Sequence, residues 1–505
     1  MSTIPKVSVS RVHILYATAL LICLVYIFVL SAPVRPDFKW LDVHQIRLQN
    51  DKVNLQGSFL DSAATGSQSN DQQQQQPWIP HEVEDLDETR LQTVEPYISA
   101  IMDPNSTSFE RLFCPPASLD RYDGLRRNPP RTTPTRKDHT RRYFFALTLY
   151  QSAHILPRLL GSIIQAIRIL GPEVCVLSIV GGRSDDGTTE ILTTLRPHLE
   201  ALGVKYYFGT SPIDPLEEGH DRITELANLR NLALDPLVRR PTQYASPDTI
   251  VIFLNDVAIC PDDILELVYQ YTLQQADMVC AMDWKDDGHV FYDSWVSRGI
   301  NGDLFVEVPQ SGSWDFVRNL FWNDPISKAR LDAKLPIQVY ACWNGATVFD
   351  AKPLFEADDN IRFRASYEHE CYMGEPTLFC KDLWKNGRGR IAVIPSVNVG
   401  YSDESGRIVK RVQGYTSDNV DVFNTSNSDQ SAEEEEDDSR TKIRNSTTAT
   451  MIDWKTDPPG LVKCQPDWHH PSWVEWDEPA ARDRKPFDWS GSGYFNAKKE
   501  DTRDE

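Results

Sequence analysis

Thr249-Ile-Val-Ile-Phe-Leu-Asn-Asp-Val257 decides the fold. Six residues, mostly apolar and β-branched, lead abruptly into two polar side chains. Such a run reads as a strand buried on both faces of a parallel sheet. Ligands of open α/β sheets sit outside the carboxyl ends of the strands. Asn255 and Asp256 are delivered to that end, where a carboxylate and an amide can hold a divalent cation against a phosphate. The plainer alternative is a turn before Pro261, because Asn and Asp are common turn residues.

The flanking sequence repeats the pattern. Tyr143–Leu149 reads as a strand, and His154–Leu170 as a helix with apolar residues at Ile155, Leu159, Ile163, Ala166, Ile167 and Leu170. Pro157 falls in its first turn, where a missing N–H costs little, and Gly171-Pro172 ends it. Val174–Val180 is a second strand, Asp186–Leu202 a helix, Val204–Phe208 a third strand and Ile223–Leu234 a further helix. Met278–Met282 and Ile391–Ile394 can add strands. Alternating strands and helices predict an α/β fold, a mostly parallel sheet with helices on both faces.

Outside this core the chain changes character. Ile14–Leu30 is uncharged and just long enough to cross a thin bilayer. Lys6 and Arg11 precede it without any acid. We read it as an uncleaved signal anchor rather than a cleaved signal peptide, whose apolar region is normally shorter. The layout is then a cytosolic tail (1–13), a transmembrane anchor (14–30), a stem (31–110) containing Gln72–Gln76, a catalytic domain (111–404), an acidic disordered insert (405–449) and an aromatic-containing tail (450–505). Three sequons, at Asn105, Asn424 and Asn445, fit a luminal body. So do the eight cysteines beyond the anchor, an even number, although Cys175 and Cys280 sit in apolar runs and also read as core residues. The net charge of −21 argues against nucleic acid as a partner. Much of it lies in Glu433–Asp438, a solvated run.

Three segments fall where chemistry is expected. Gly181-Gly-Arg-Ser-Asp-Asp-Gly-Thr188 follows the second strand. Its glycines allow a tight turn beside a ligand, with Gly182, Ser184, Asp185 and Asp186 read as nucleotide-binding; the alternative is that Ser184 or Asp185 only caps the next helix. It lacks the Gly-Lys-Ser/Thr ending of a phosphate-binding Walker loop. Arg230-Asn231 can brace a diphosphate or the cation-bearing loop; the alternative is a solvated helix face. Asn255-Asp256 completes the set. A cation fixed by Asp256 would neutralise the charge that grows on a departing nucleoside diphosphate, and Mg²⁺ or Mn²⁺ suits so few protein ligands.

Taken together, several segments resemble a GT-A type glycosyltransferase and, more narrowly, the fungal capsule-associated α-1,3-mannosyltransferase family. They are Gly181–Thr188, Leu229-Arg-Asn231, Phe253-Leu-Asn-Asp-Val257, Phe291–Arg298, Cys342-Trp-Asn-Gly345, and Glu370 through Cys380-Lys-Asp-Leu-Trp384. The resemblance spans about Tyr143–Ser402. It implies a GDP-mannose donor, Mn²⁺ or Mg²⁺, a mannose-containing glycan acceptor, retention of the α-anomer, and a single-pass type II protein of the Golgi membrane with a luminal catalytic domain. It places the metal on Asp256, with Asn255 where many relatives of the wider fold have another acid. Asp293, Trp295 and Arg298 then become candidates for sugar contact, against the alternative of a structural Asp–Arg pair. Trp343 and Asn344 can stack on and hydrogen-bond a pyranose, or form a packed turn. Front-side attack needs no strong base; Asp293 and Glu370 are the carboxylates nominated as catalytic. The His369-Glu370 pair is a further possible metal contact, and Lys381-Asp382 reads as a local ion pair. Two other functions stay open at this point: a glycan-binding scaffold and a UDP-sugar transferase.

Overall fold

The computed structural model describes residues 86–126, 141–246, 248–285, 287–307, 318–355, 360–421, 450–466 and 470–479. The Ile14–Leu30 anchor, most of the stem, the Asn424 and Asn445 sequons and the Glu433–Asp438 run lie outside them. Among the described residues no helix is long and apolar enough to cross a membrane.

Nine strands form one sheet: β1 (Arg142–Leu149), β2 (Cys175–Gly181), β3 (Lys205–Thr210), β4 (Thr249–Leu254), β5 (Met278–Asp283), β6 (Arg298–Gly299), β7 (Ile337–Ala341), β8 (Ala346–Asp350) and β9 (Ile391–Val399). Their order is β3-β2-β1-β4-β8-β5-β9-β7-β6. The first four are parallel, as is the β5–β9 pair. β8 is antiparallel to both β4 and β5, and β7 is antiparallel to β9 and β6. The expected parallel sheet therefore holds for the half built from the βα repeats, and the second half is mixed. β8 matters most, because an antiparallel neighbour begins where β4 ends.

The main helices are α1 (Glu95–Met102), α2 (Leu156–Leu170), α3 (Thr188–Ala201), α4 (Arg222–Arg239), α5 (Pro261–Leu273), α6 (Glu375–Lys385), α7 (Asp403–Gln413) and α8 (Thr416–Asp421). α2 begins with Pro157 in its first turn and stops at Gly171, whose φ of 107° suits glycine. The core divides by strand alternation. In β4, Ile250, Ile252 and Leu254 join α2, α3 and α5 on one face, while Val251 and Phe253 join α4 and α6 on the other. Burial on both faces explains why β4 reads as an unbroken apolar run.

The structure moves two boundaries. Residues 31–110 were expected to be stem, yet α1 packs on α2, and Val94, Ile98 and Ile101 are buried in the core. Arg111 fastens this segment by donating to the carbonyls of Ala100, Asp103, Pro104 and Ser106. Ser405–Asp421, expected to open a disordered insert, forms most of α7 and all of α8. Few apolar positions announced it, because its anchor is polar: Lys410 is buried against Asp263 at 2.7 Å, with the Thr416 hydroxyl on the same carboxylate. The chain returns after the acidic segment at Thr450, where Gln274 accepts from the Ile452 amide and the Trp454 indole.

Three disulfides join Cys114–Cys260, Cys280–Cys342 and Cys371–Cys464, leaving Cys175 and Cys380 free and buried. The core reading was right for Cys175 and is corrected for Cys280. Asn105 is exposed in a turn.

Ile98 distinguishes a core segment from a stem. Ile98→Ala is expected to lower the unfolding free energy by about 2–5 kcal/mol in denaturant titration. A change at a solvated stem position would stay within about 0.5 kcal/mol.

Candidate active site at the carboxyl rim of the sheet

The end of β4 is clamped from across the sheet. The Asn255 amide donates to the Gly345 carbonyl at 2.9 Å, and the Trp343 indole donates to Asn255 Oδ1 at 3.0 Å. Asn344 and Gly345 have φ of 57° and 76°, so the turn entering β8 is left-handed. A Cβ on Gly345 would stand 3.0 Å from Val257 Cγ1, which makes glycine necessary there. The Cys280–Cys342 disulfide ties the turn to β5.

This clamp presents Asp256 half-buried at the rim. Burial raises the pKa of its carboxyl, and only its own amide and the exposed His154 oppose that shift. A carboxylate partly stripped of water and so little compensated suits a cation whose remaining ligands are phosphate and water oxygens. Among the described residues no cluster of three or more His, Cys, Asp or Glu exists, so any cation here would rest chiefly on Asp256.

Two further acids converge beside it. Asp283, at the end of β5, accepts from the Asp293 amide at 3.2 Å and from the Tyr401 hydroxyl at 2.7 Å. Asp293 Oδ2 accepts from the Asn344 amide at 2.8 Å. Burial and the neighbouring Asp293 push Asp283 well up. Burial lifts Asp293 to about 6, against the Asn344 amide and the Arg230 charge. Two carboxylates this close share a titration. Tyr292, 48% exposed, packs on Tyr401 with ring centroids 4.5 Å apart. Sequence reasoning missed Asp283. Its signal was the one that revealed Asp256, an acid ending an apolar strand.

The glycine-bearing loop lies on the same rim, two strands from β4. The Gly182 amide donates to the Leu149 carbonyl, and a Cβ on Gly182 would be 2.9 Å from the Tyr150 ring. Ser184 Oγ accepts from the Gln151 amide, Asp185 takes the Gln151 side chain, and Asp186 accepts from the Ala153 amide and from Thr188. These contacts weld the loops after β1 and β2 together. The welded segment ends at His154, the residue whose charge reaches Asp256. Asp185 and Asp186 stay exposed, and so does Tyr150 at 59%.

Several expected contacts belong to the framework instead. Asn231 is buried, with its amide bonded both ways to the Phe363 backbone. Asn344 is fully buried and satisfied by Ser297, Ala281 and Asp293. Trp343 is 1% exposed, so it is no stacking platform open to solvent. Arg298 is also 1% exposed and donates to the carbonyls of Lys463, Trp295 and Ser297. The Trp295 indole is taken by the Gln465 carbonyl. Glu370 is not a base: it pairs with Arg364 at 2.6 Å and Lys381 at 2.8 Å. Burial works to raise its pKa, but the Arg364 and Lys381 contacts outweigh it and hold the carboxyl down to about 2. Lys381 and Asp382 do not pair with each other; Asp382 binds Arg364. His369 is 84% exposed and paired with Glu368, not with a metal group. Arg230 remains in the site, its guanidinium 4.2 Å over the Trp343 ring.

A family model described as cryptococcal mannosyltransferase 1 matches residues 142–382, the segment that carries every rim loop through α6, and this defines a mannosyltransferase catalytic unit. The α-1,3-mannosyltransferase CMT1 of Cryptococcus neoformans is 32% identical over 411 residues, covering 76% of this chain and 83% of that protein. The chain therefore belongs to the fungal capsule-associated mannosyltransferase family, and it is a mannosyltransferase. Among solved structures, Staphylococcus aureus TarS 1-349 matches with a TM-score of 0.31 at 16% identity, over 54% of this chain and 64% of that one, which is less than two thirds of its length. Mannosyltransferase PcManGT from Pyrobaculum calidifontis, in complex with GDP-Man and Mn²⁺, matches with 0.31 at 13% identity, over 62% and 72%.

Glu370→Gln is expected to cost about 3–5 kcal/mol, since it leaves buried Lys381 without its carboxylate and takes one of two carboxylates from Arg364. With a depressed folded pKa, the Glu370 contribution is present above its unfolded pKa and fades as pH falls from about 4.3 toward 2. Urea midpoints of wild type and variant should converge across that window.

Proposed function

We propose that this GT-A-like enzyme moves mannose from GDP-mannose to a mannose-containing glycan with an α-1,3 linkage and retention of the anomer, aided by Mn²⁺ or Mg²⁺. The observation that carries the reading is Asp256, an under-compensated carboxylate at the end of β4, on the rim that also bears the Gly182 loop. Bound there, the cation would offset charge gathering on the departing diphosphate. The loops after β1 and β2 supply exposed acceptors at Asp185 and Asp186 for the nucleoside. Asn255, whose side-chain oxygen is fixed by the Trp343 indole, keeps Asp256 in register. Asp293, half-buried and with no hydrogen bond to its Oδ1 among the described residues, faces a hydroxyl at the reacting centre and can take up a proton there as its pair with Asp283 shifts.

Three disulfides support folding in an oxidising compartment. With the exposed Asn105 sequon, they fit a luminal domain behind the Ile14–Leu30 anchor of a type II Golgi membrane protein.

Purified protein with Mn²⁺ and a panel of nucleotide sugars should release GDP from GDP-mannose in the presence of an α-mannoside, and EDTA should stop it. A preference for a UDP-sugar would refute the donor assignment. Asp256→Asn should lower kcat/KM by about three orders of magnitude, equivalent to ~4 kcal/mol of lost charge stabilisation. Its melting temperature should hold or rise, because the raised pKa marks an ionised group that the fold tolerates at a cost.

The pH profile offers a separate check. Asp293 is protonated below about 6 and ionised above it. Transfer should therefore rise through that pH, and Asp293→Asn should lack the rising limb. Stability moves the other way: a raised folded pKa means stability is lost as pH climbs from the unfolded value through about 6.

A further inference from the structure

Arg230 is a buried cation with most of its donors unused. Its backbone lies in the middle of α4, whose N-terminal end faces the rim, and helical side chains lean toward the N-terminus. The guanidinium is enclosed by the Trp343, Phe253 and Phe363 rings at 4.2, 5.5 and 5.7 Å. Nε donates to Glu375 at 2.8 Å, and Glu375, in the first turn of α6, is 2% exposed. A guanidinium has five N–H bonds. Nη1 is fully buried with no acceptor, and neither Nη1 nor Nη2 donates to any described residue. A buried donor left unpaired is disfavoured, so a guanidinium held this firmly with both Nη groups unpaired suits an acceptor from outside the chain.

The surroundings select the kind of acceptor. Arg230 contributes the attractive charge felt by Asp293, and Glu375 contributes a repulsive one, so two carboxylates face the same guanidinium. The positive charge is already offset. A diphosphate carries acceptors only and would meet both carboxylates. A neutral polyol offers hydroxyls that accept from the fork and donate to Asp293. The position agrees: Arg230 stands over the Trp343 ring, whose indole holds Asn255 beside Asp256, the residue proposed to hold the cation. The group next to a phosphate held at Asp256 is the sugar it carries.

We propose that Arg230, fixed by Glu375 over Trp343, recognises the hydroxyls of the transferred sugar and not the diphosphate. This rests on the GDP-mannose reading above and specifies which part of the donor Arg230 contacts. Glu375 is the positioning residue, since among the described residues its carboxylate bonds only to Arg230.

The test is calorimetric binding of GDP and of GDP-mannose, each with Mn²⁺, to the full chain. The double variant Arg230→Gln with Glu375→Gln removes both charges together and strands neither, and its melting temperature is measured alongside. Glu375→Gln alone is the second variant; it loosens the fork while leaving Arg230 in place. The expected result is GDP affinity within about twofold of wild type in both variants. GDP-mannose should bind at least tenfold more weakly in the double variant and be weakened to a lesser degree in the single one. Equal loss for GDP and GDP-mannose would make Arg230 a phosphate ligand and overturn the proposal. Unchanged affinity for both ligands in the double variant would overturn it as well. Failure of wild type to bind either ligand would remove the donor reading itself, and the proposal with it, a result distinct from either split.

Discussion

The site hangs on the clamp between the end of β4 and the turn entering β8. β8 runs against β4, so its first residues lie beside the last residues of β4. That reversal lets Gly345 accept from the Asn255 backbone while Trp343 holds the Asn255 side chain. The turn can do this only in a left-handed conformation, and the neighbouring disulfide keeps it against β5. Asp256 follows directly on this contact, and among the described residues its carboxylate bonds to no other side chain. Asp283 and Asp293 are bound into the same arrangement through the Asn344 amide.

The buried charges fall into two kinds. Glu370 with Arg364 and Lys381, Glu266 with Arg121, and Asp263 with Lys410 are closed networks in which each carboxylate meets a cation within 3 Å. They hold elements together. Asp256, Asp283 and Asp293 meet none at that range, and burial raises all three. Groups kept away from their preferred ionisation gather where chemistry happens. The protein gives up stability at the rim and recovers it in the interior networks.

Much of this was legible in the sequence, for identifiable reasons. β1 to β5 were readable because burial on both faces makes the strands continuous apolar runs, and Asp256 was readable because an acid ends such a run. β7 and β8 were not read as strands: each has five residues, and β8 follows Trp343-Asn344-Gly345, which attracts attention as a motif instead. The misplaced site residues share one cause. Asn231, Arg298 and Glu370 are polar residues amid apolar ones, a pattern common to ligand contacts and to framework hydrogen bonds. What separates the two is the partner, and here the partners are Phe363, Lys463 and Lys381, which spacing along the chain does not reveal.

The Gln274 contacts set how freely this enzyme can diverge. α8 ends at Asp421, and the chain is caught again near Thr450 by Gln274, with Lys455 bonded both ways to Gln338. Both ends of the intervening acidic excursion are thus fastened to the framework. Closing a longer loop between fixed posts costs little, about 0.6 kcal/mol for each doubling of its length. A change in the length or charge of the sequence between these posts therefore leaves the contacts that hold the rim in place.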